Sequence, residues 1–149
     1  MRIIALVIGL FFAVAAGRAL AEDAKAPVKS ATTPGSSVEM PYLIAPMSSG
    51  GTLQAYAYIS YKIVGSSPSA ALEIRGKIPF LQDAFVRDVN AAPVSKPDDP
   101  LSVDNAVLAA RLLALAKKVM GPGKVVDLKL MQVQISPLQP KTDVGNGPS

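Results

Sequence analysis

Residues 52–64 alternate without interruption: Leu53, Ala55, Ala57, Ile59, Tyr61 and Ile63 interleave with Thr52, Gln54, Tyr56, Tyr58, Ser60 and Lys62. Side chains along a strand point to opposite faces in turn, so a period of two held this long predicts one long β-strand with one buried face. Such a strand needs neighbours for its backbone and a second layer for its apolar row. The rest of the chain must supply both.

Upstream, residues 40–45 read as a shorter strand, joined to the long one through Met47, Ser48, Ser49, Gly50 and Gly51, residues that suit a hairpin-type loop. After Gly65 and Pro68 the period changes. Ile74, Ile78, Leu81, Phe85 and Val89 recur at spacings of four and three, which predicts a first helix over residues 69–92. Gly76 and Pro79 lie inside it, and proline removes a backbone donor and crowds the preceding turn, so a kink or break is expected near Ile78. Residues 91–100 read as a polar loop. A second helix is predicted to start with Asp99 as N-cap and Pro100 at its first position, with Asp104 in the early turns and Lys117 and Lys118 in the last. Its core stripe would be Leu101, Leu108, Leu112, Leu115 and Val119, with Asp104, Arg111 and Lys118 on the solvated side and Gly121 as its stop. The last element alternates as Val126, Leu128, Leu130 and then Met131, Val133, Ile135. That one-residue slip in phase predicts a β-bulge. The order β-β-α-α-β gives an α+β fold, a small sheet with two helices packed on one face.

The chain opens with Met1 and Arg2, an apolar run over residues 3–16, and the small-x-small pattern Ala19, Leu20, Ala21. These are the three parts of a secretory signal peptide, expected over 1–21. Arg18 interrupts the run early, and a spanning helix needs about 20 apolar residues. Removing 1–21 leaves 128 residues with 13 basic and 11 acidic side chains, against a formal charge of +4 for the whole chain. A balance so even argues against nucleic acid as a partner. Residues 22–38 read as a flexible linker, 39–139 as the folded α+β domain and 140–149 as a disordered tail.

The chain has no cysteine, histidine or tryptophan. Without cysteine, an oxidising compartment contributes no disulfide. Without histidine, the commonest general base and transition-metal ligand is missing. Asp98, Asp99 and Asp104 cluster, yet their spacing is not that of a calcium loop and Asp99 has a capping role. Ser48, Ser49, Ser66 and Ser67 sit among Gly and Pro and read as turn residues, and the glycines form no phosphate-binding fingerprint. The expectation is therefore a protein that is not an enzyme and takes no cofactor or metal. Tyr56 and Tyr58, with Gln54 and Lys62, lie on the outward row of the long strand, where tyrosine suits either packing or a protein contact. These four are the candidate partner-contact residues.

Three stretches carry a family resemblance: Gln54, Ala55, Tyr56, Ala57, Tyr58, Ile59 in the long strand; Ile78, Pro79, Phe80, Leu81, Gln82, Asp83, Ala84, Phe85 in the first helix; and Gly123, Lys124, Val125, Val126, Asp127 before the last strand. Over residues 41–138 the pattern resembles the periplasmic domain of the FliL family, flagellar basal-body-associated proteins with a stomatin/prohibitin-like (SPFH) fold. The helix segment is the most specific piece, since that family carries a Pro followed by an apolar, polar and Asp-Ala sequence. The resemblance implies a periplasmic, non-enzymatic role beside the flagellar stator or basal body, supporting motility through contacts with those proteins or with further copies of itself. The chain departs from the family at its start, where the apolar run is short and ends in a cleavage pattern. Association with the inner membrane would follow only if that segment were kept. The alternative is an exported adaptor or ligand-binding domain unrelated to motility.

Overall fold

The computed structural model describes residues 35–139. The expected signal peptide (1–21), most of the linker (22–38) and the tail (140–149) lie outside the described residues. Within them the fold is α+β: strands β1 (Ser37–Glu39), β2 (Leu43–Ser49) and β3 (Thr52–Gly65), helices α1 (Pro68–Gly76), α2 (Ile78–Ala91) and α3 (Asn105–Met120), then strand β4 (Val125–Pro137).

The long strand organises everything. β3 pairs antiparallel with β4 from Ala55–Pro137 to Gly65–Val125, along one edge. On its other edge β2 takes the first half, from Ser49–Thr52 to Leu43–Ile59, and β1 takes the second, with Val38 opposite Ile63. β1 and β2 thus lie end to end. β1 falls where a linker was expected, because Val38 has a site in the core and the Ser36 carbonyl accepts from the Gly65 N–H at 2.8 Å. β2 also runs further than the sequence suggested, leaving Gly50 and Gly51 alone as the turn. Their φ angles of 58° and 79° match a two-residue hairpin that needs positive φ at both positions.

Leu43, Ala45 and Met47 of β2, the odd-numbered residues 55–63 of β3, and Leu128 of β4 form one buried face. All three helices cover it: α1 over β1 and the end of β3, α2 over β2, α3 over β4. The Tyr61 ring meets Phe85 edge-on at 5.6 Å in the middle of this core. Phe85 is fully buried, so truncating it to alanine would cost about 3–5 kcal/mol. Where β3 hands over to α1, the backbones come close. A Cβ on Gly65 would stand 3.1 Å from the Ala71 nitrogen and 3.2 Å from Ile74 Cδ1, so glycine is needed there.

The first predicted helix is broken into two, so three helices stand where two were expected. Lys77 (φ −110°, ψ 11°) leaves helical geometry, with Pro79 at the start of α2, as a proline that cannot donate and crowds the preceding turn requires. α1 is capped by Ser67, whose Oγ accepts from the Ala70 N–H at 3.0 Å.

The second predicted helix starts later than expected. Residues 94–104 form a closed loop: Ser95 bridges to Val103, the Lys96 N–H reaches the Ser102 carbonyl at 2.8 Å, and the Asp104 N–H reaches Val94 at 3.0 Å. Val94 and Val103 are buried beneath it. Asp99 and Pro100 therefore sit at a loop tip, and the N-cap is Asp104, whose Oδ1 accepts from the Val107 N–H at 3.1 Å. Leu101 leaves the core stripe and is 46% exposed. The buried stripe is instead Leu108, Leu112, Ala116 and Met120, with Leu115 and Val119 half-buried at its margin. Arg111 is not a solvated residue either: it is folded against Asp88 at the end of α2.

The slip in the last strand is real and sits where the phase changed. Ser60 faces Gln132 and Tyr61 faces Leu130, which leaves Met131 as the extra residue of a bulge. Leu130, Val133 and Ile135 all reach the core, while Met131 itself is 59% exposed. A second irregularity beside Gly65 gives the core position to Val125 and leaves Val126 exposed.

Candidate protein-contact face

With every helix on one side, the other face of the sheet has no covering element among the described residues. Its chemistry follows from the strand register. One row across the sheet is Ile44, Tyr58, Gln134; the next is Pro46, Tyr56, Ser136; then come Ser60 with Gln132, and Glu39 with Lys62 and Lys129. Tyr42, just before β2, is 68% exposed and joins Tyr58, Gln132 and Gln134 around a shallow depression of about 210 Å³. Ligand pockets for small molecules usually run from about 300 to 1,000 Å³, so this one suits a partner's side chain better than an enclosed ligand.

The four residues singled out from the sequence share this face, but they are not one cluster. Tyr56 and Tyr58 form its aromatic centre with Ile44 and Pro46. Gln54 lies at one end, where its backbone carbonyl accepts from the Leu138 N–H and its amide turns back to the Thr52 carbonyl at 3.4 Å. Lys62 lies at the other end, four residues or about 13 Å from Tyr58, with Glu39 opposite it on one side and Lys129 on the other. It contributes a charged rim rather than part of the aromatic patch. Such an arrangement of an aromatic and aliphatic centre with a polar rim is what protein contacts use.

Sequence reasoning missed Tyr42, Ile44, Gln132 and Gln134. The first two carry a legible signal, since they alternate with Leu43 and Ala45 in the short strand. The glutamines have none, because their neighbours are set by the pairing of β4 with β3.

On the core side, the Tyr61 hydroxyl donates to Gln82 Oε1 at 2.9 Å, and Gln82 Nε2 donates to the Tyr42 carbonyl at 3.2 Å. Burial holds the Tyr61 phenol well above its ordinary pKa. The bonds tie α2 to the start of β2 and so fix the backbone that presents Tyr42. Of the aspartates weighed as a cluster, Asp99 accepts from Leu101 N–H and Asp104 caps α3, and among the described residues no group of three acidic, histidine or cysteine side chains is placed to hold a metal. No helix among the described residues is long and apolar enough to cross a membrane.

Comparison with known proteins finds no protein-family model and no curated protein that matches this chain.

Proposed function

We propose that the chain is an exported, non-catalytic interaction protein of FliL type, acting in the periplasm beside the flagellar motor by laying its open sheet face against a stator or basal-body protein. The observation that carries the contact is the aromatic centre of that face. Tyr42, Ile44, Tyr56 and Tyr58 stand together on a side that no described element covers. An apolar and aromatic patch left open on one side of a sheet marks an interaction site. The export signal read in residues 1–21 supports the compartment, and the resemblance over residues 41–138 supports the motor. No cofactor and no nucleic acid enter this reading, and a hold on the inner membrane would come only from an uncleaved N-terminal segment.

The test is deletion of the gene followed by swimming measurements at normal filament number and varied load, with complementation by the Tyr58→Ala/Ile44→Ser double variant. Loss of torque that the natural chain restores and the variant does not supports the proposal. Unchanged motility in the deletion removes the motor and leaves an exported adaptor of other business. Full rescue by the variant removes this face as the contact.

A further inference from the structure

Among the described residues β4 has β3 as its one strand neighbour, so its other edge is open there. Which backbone groups face that edge follows from three bonds. The Tyr61 carbonyl accepts from the Met40 N–H and the Gly65 N–H donates to Ser36, whereas the Gln54 carbonyl accepts from the Leu138 N–H. Odd-numbered residues of β3 therefore turn their backbone towards β1 and β2, and even-numbered ones towards β4. Carried through the register, this leaves Leu128, Leu130, Val133, Ile135 and Pro137 with backbone groups turned away from β3.

Both ends of that edge are closed. The Leu128 N–H is taken by the Asp127 carboxylate at 2.8 Å, and Pro137 has no N–H to offer. Between them, past the bulge at Met131, lies a regular stretch of Gln132, Val133, Gln134, Ile135 and Ser136, without a charge or a proline. Sheets usually guard an edge with such residues. This stretch is also under-covered. Val133 and Ile135 remain half-buried, although the residues they face on β3, Ile59 and Ala57, are wholly buried. Met131 and Leu138, at 59% and 45% exposure, flank it with further apolar surface.

We propose that two copies of the chain pair through this edge, β4 against β4, antiparallel about a two-fold axis at Gln134. What selects a second copy is symmetry: the pattern polar, apolar, polar, apolar, polar is its own complement when reversed. Val133 then meets Ile135 of the second copy on the helix side, and Gln132 meets Ser136 on the open side. Val133 and Ile135, both with backbone groups turned outward, exchange two hydrogen bonds on each side of the axis. Met131 of one copy comes beside Pro137 and Leu138 of the other, and no like charges oppose. The two open faces join into one. A strand-edge contact is small, so the dimer forms reversibly and with concentration. It goes beyond the proposed function and does not depend on the motor.

The chain has no cysteine, so Gln134→Cys introduces a single thiol at the axis. Residue 134 would face its own copy in a non-hydrogen-bonded pair, where side chains approach closest and a disulfide fits. Gln132→Cys, on the same exposed face, is the control. With purified protein and oxidised glutathione, Gln134→Cys is expected to form covalent dimer at least about tenfold faster than Gln132→Cys, since it alone meets its own thiol. Sedimentation of the natural chain should show dimer rising with concentration. Gln134→Lys should abolish it at low salt, with recovery at high salt. Equal cross-linking of the two cysteine variants, with both melting as the natural chain does, or a natural chain that stays monomeric at every concentration, would overturn the proposal. Neither readout involves motility, so this result and the motor reading can fail separately.

Discussion

Arg111 closes on Asp88 with both Nη2 and Nε donating to the same carboxylate oxygen, at 2.6 and 3.1 Å. The same guanidinium donates to the carbonyls of Asp88, Ala92 and Pro93, at 3.2, 3.3 and 2.7 Å. These carbonyls lie in the last turn of α2 and just past its end, where the dipole favours a cation; that of Asp88 also accepts from the Ala92 N–H at 3.0 Å. One side chain from α3 therefore finishes α2 and fixes the chain as it enters the 94–104 loop. Phe80 and Val119 share a shallow apolar surface at the opposite end, so the two helices run antiparallel.

Replacing Arg111 with methionine keeps much of the packing and removes every one of those bonds. The Asp88 carboxylate and the Ala92 carbonyl are then left part-buried without that donor, which should cost about 2–3 kcal/mol in chemical denaturation. Arg111→Lys should recover less than half of that, because an ammonium cannot span the fork.

Tyr61→Phe should destabilise the fold by about 1 kcal/mol at neutral pH, through loss of the bond to Gln82. Its effect at alkaline pH is opposite in sign. The buried phenol holds its proton well above the ordinary value of about 10, whereas the unfolded one ionises there. Folded protein thus binds more protons above that pH, and stability falls by about 1.4 kcal/mol per pH unit from this group. Below it the contribution is whole. Urea titrations from pH 9 to 11.5 should show the natural chain losing stability more steeply than Tyr61→Phe, with the difference narrowing to zero and then reversing as pH rises.

The start of α3 can be located by its cap. Asp104→Ala should cost about 1 kcal/mol, since Oδ1 satisfies the Val107 N–H. Asp99→Ala, at an exposed loop tip, should change stability by less than about 0.5 kcal/mol. A reversed order in thermal melts would place the helix start back at Asp99.

On the open face, Tyr58→Ala and Ile44→Ser should each cost no more than about 1 kcal/mol, because these side chains face solvent on one side and meet only cross-strand neighbours. Their effect on partner binding should be far larger than their effect on melting temperature. A variant that melts normally and still binds would move the contact elsewhere.

What was legible in the sequence is what depends on a residue's near neighbours. The alternation through Leu53 and Ile63 determined a long half-buried strand, the slip from Leu130 to Met131 determined a bulge, and Pro79 determined a break between helices. All three are local, since side-chain direction and a missing N–H are set by the chain itself. The sequence also placed Tyr56 and Tyr58 on the side away from the core. It could not show that Lys62 stands apart from them, that Tyr42 and Gln134 stand beside them, or that Arg111 belongs to Asp88, twenty-three residues away. Nor could it tell that Asp99, with a proline after it, would lose the cap to Asp104, because the loop that displaces it is closed by Val94 and Val103 reaching the core. Those outcomes rest on which segments meet in space. Only the tertiary structure decided them, since strand register and helix packing are settled by burying one shared apolar face and not by any stretch of the chain alone.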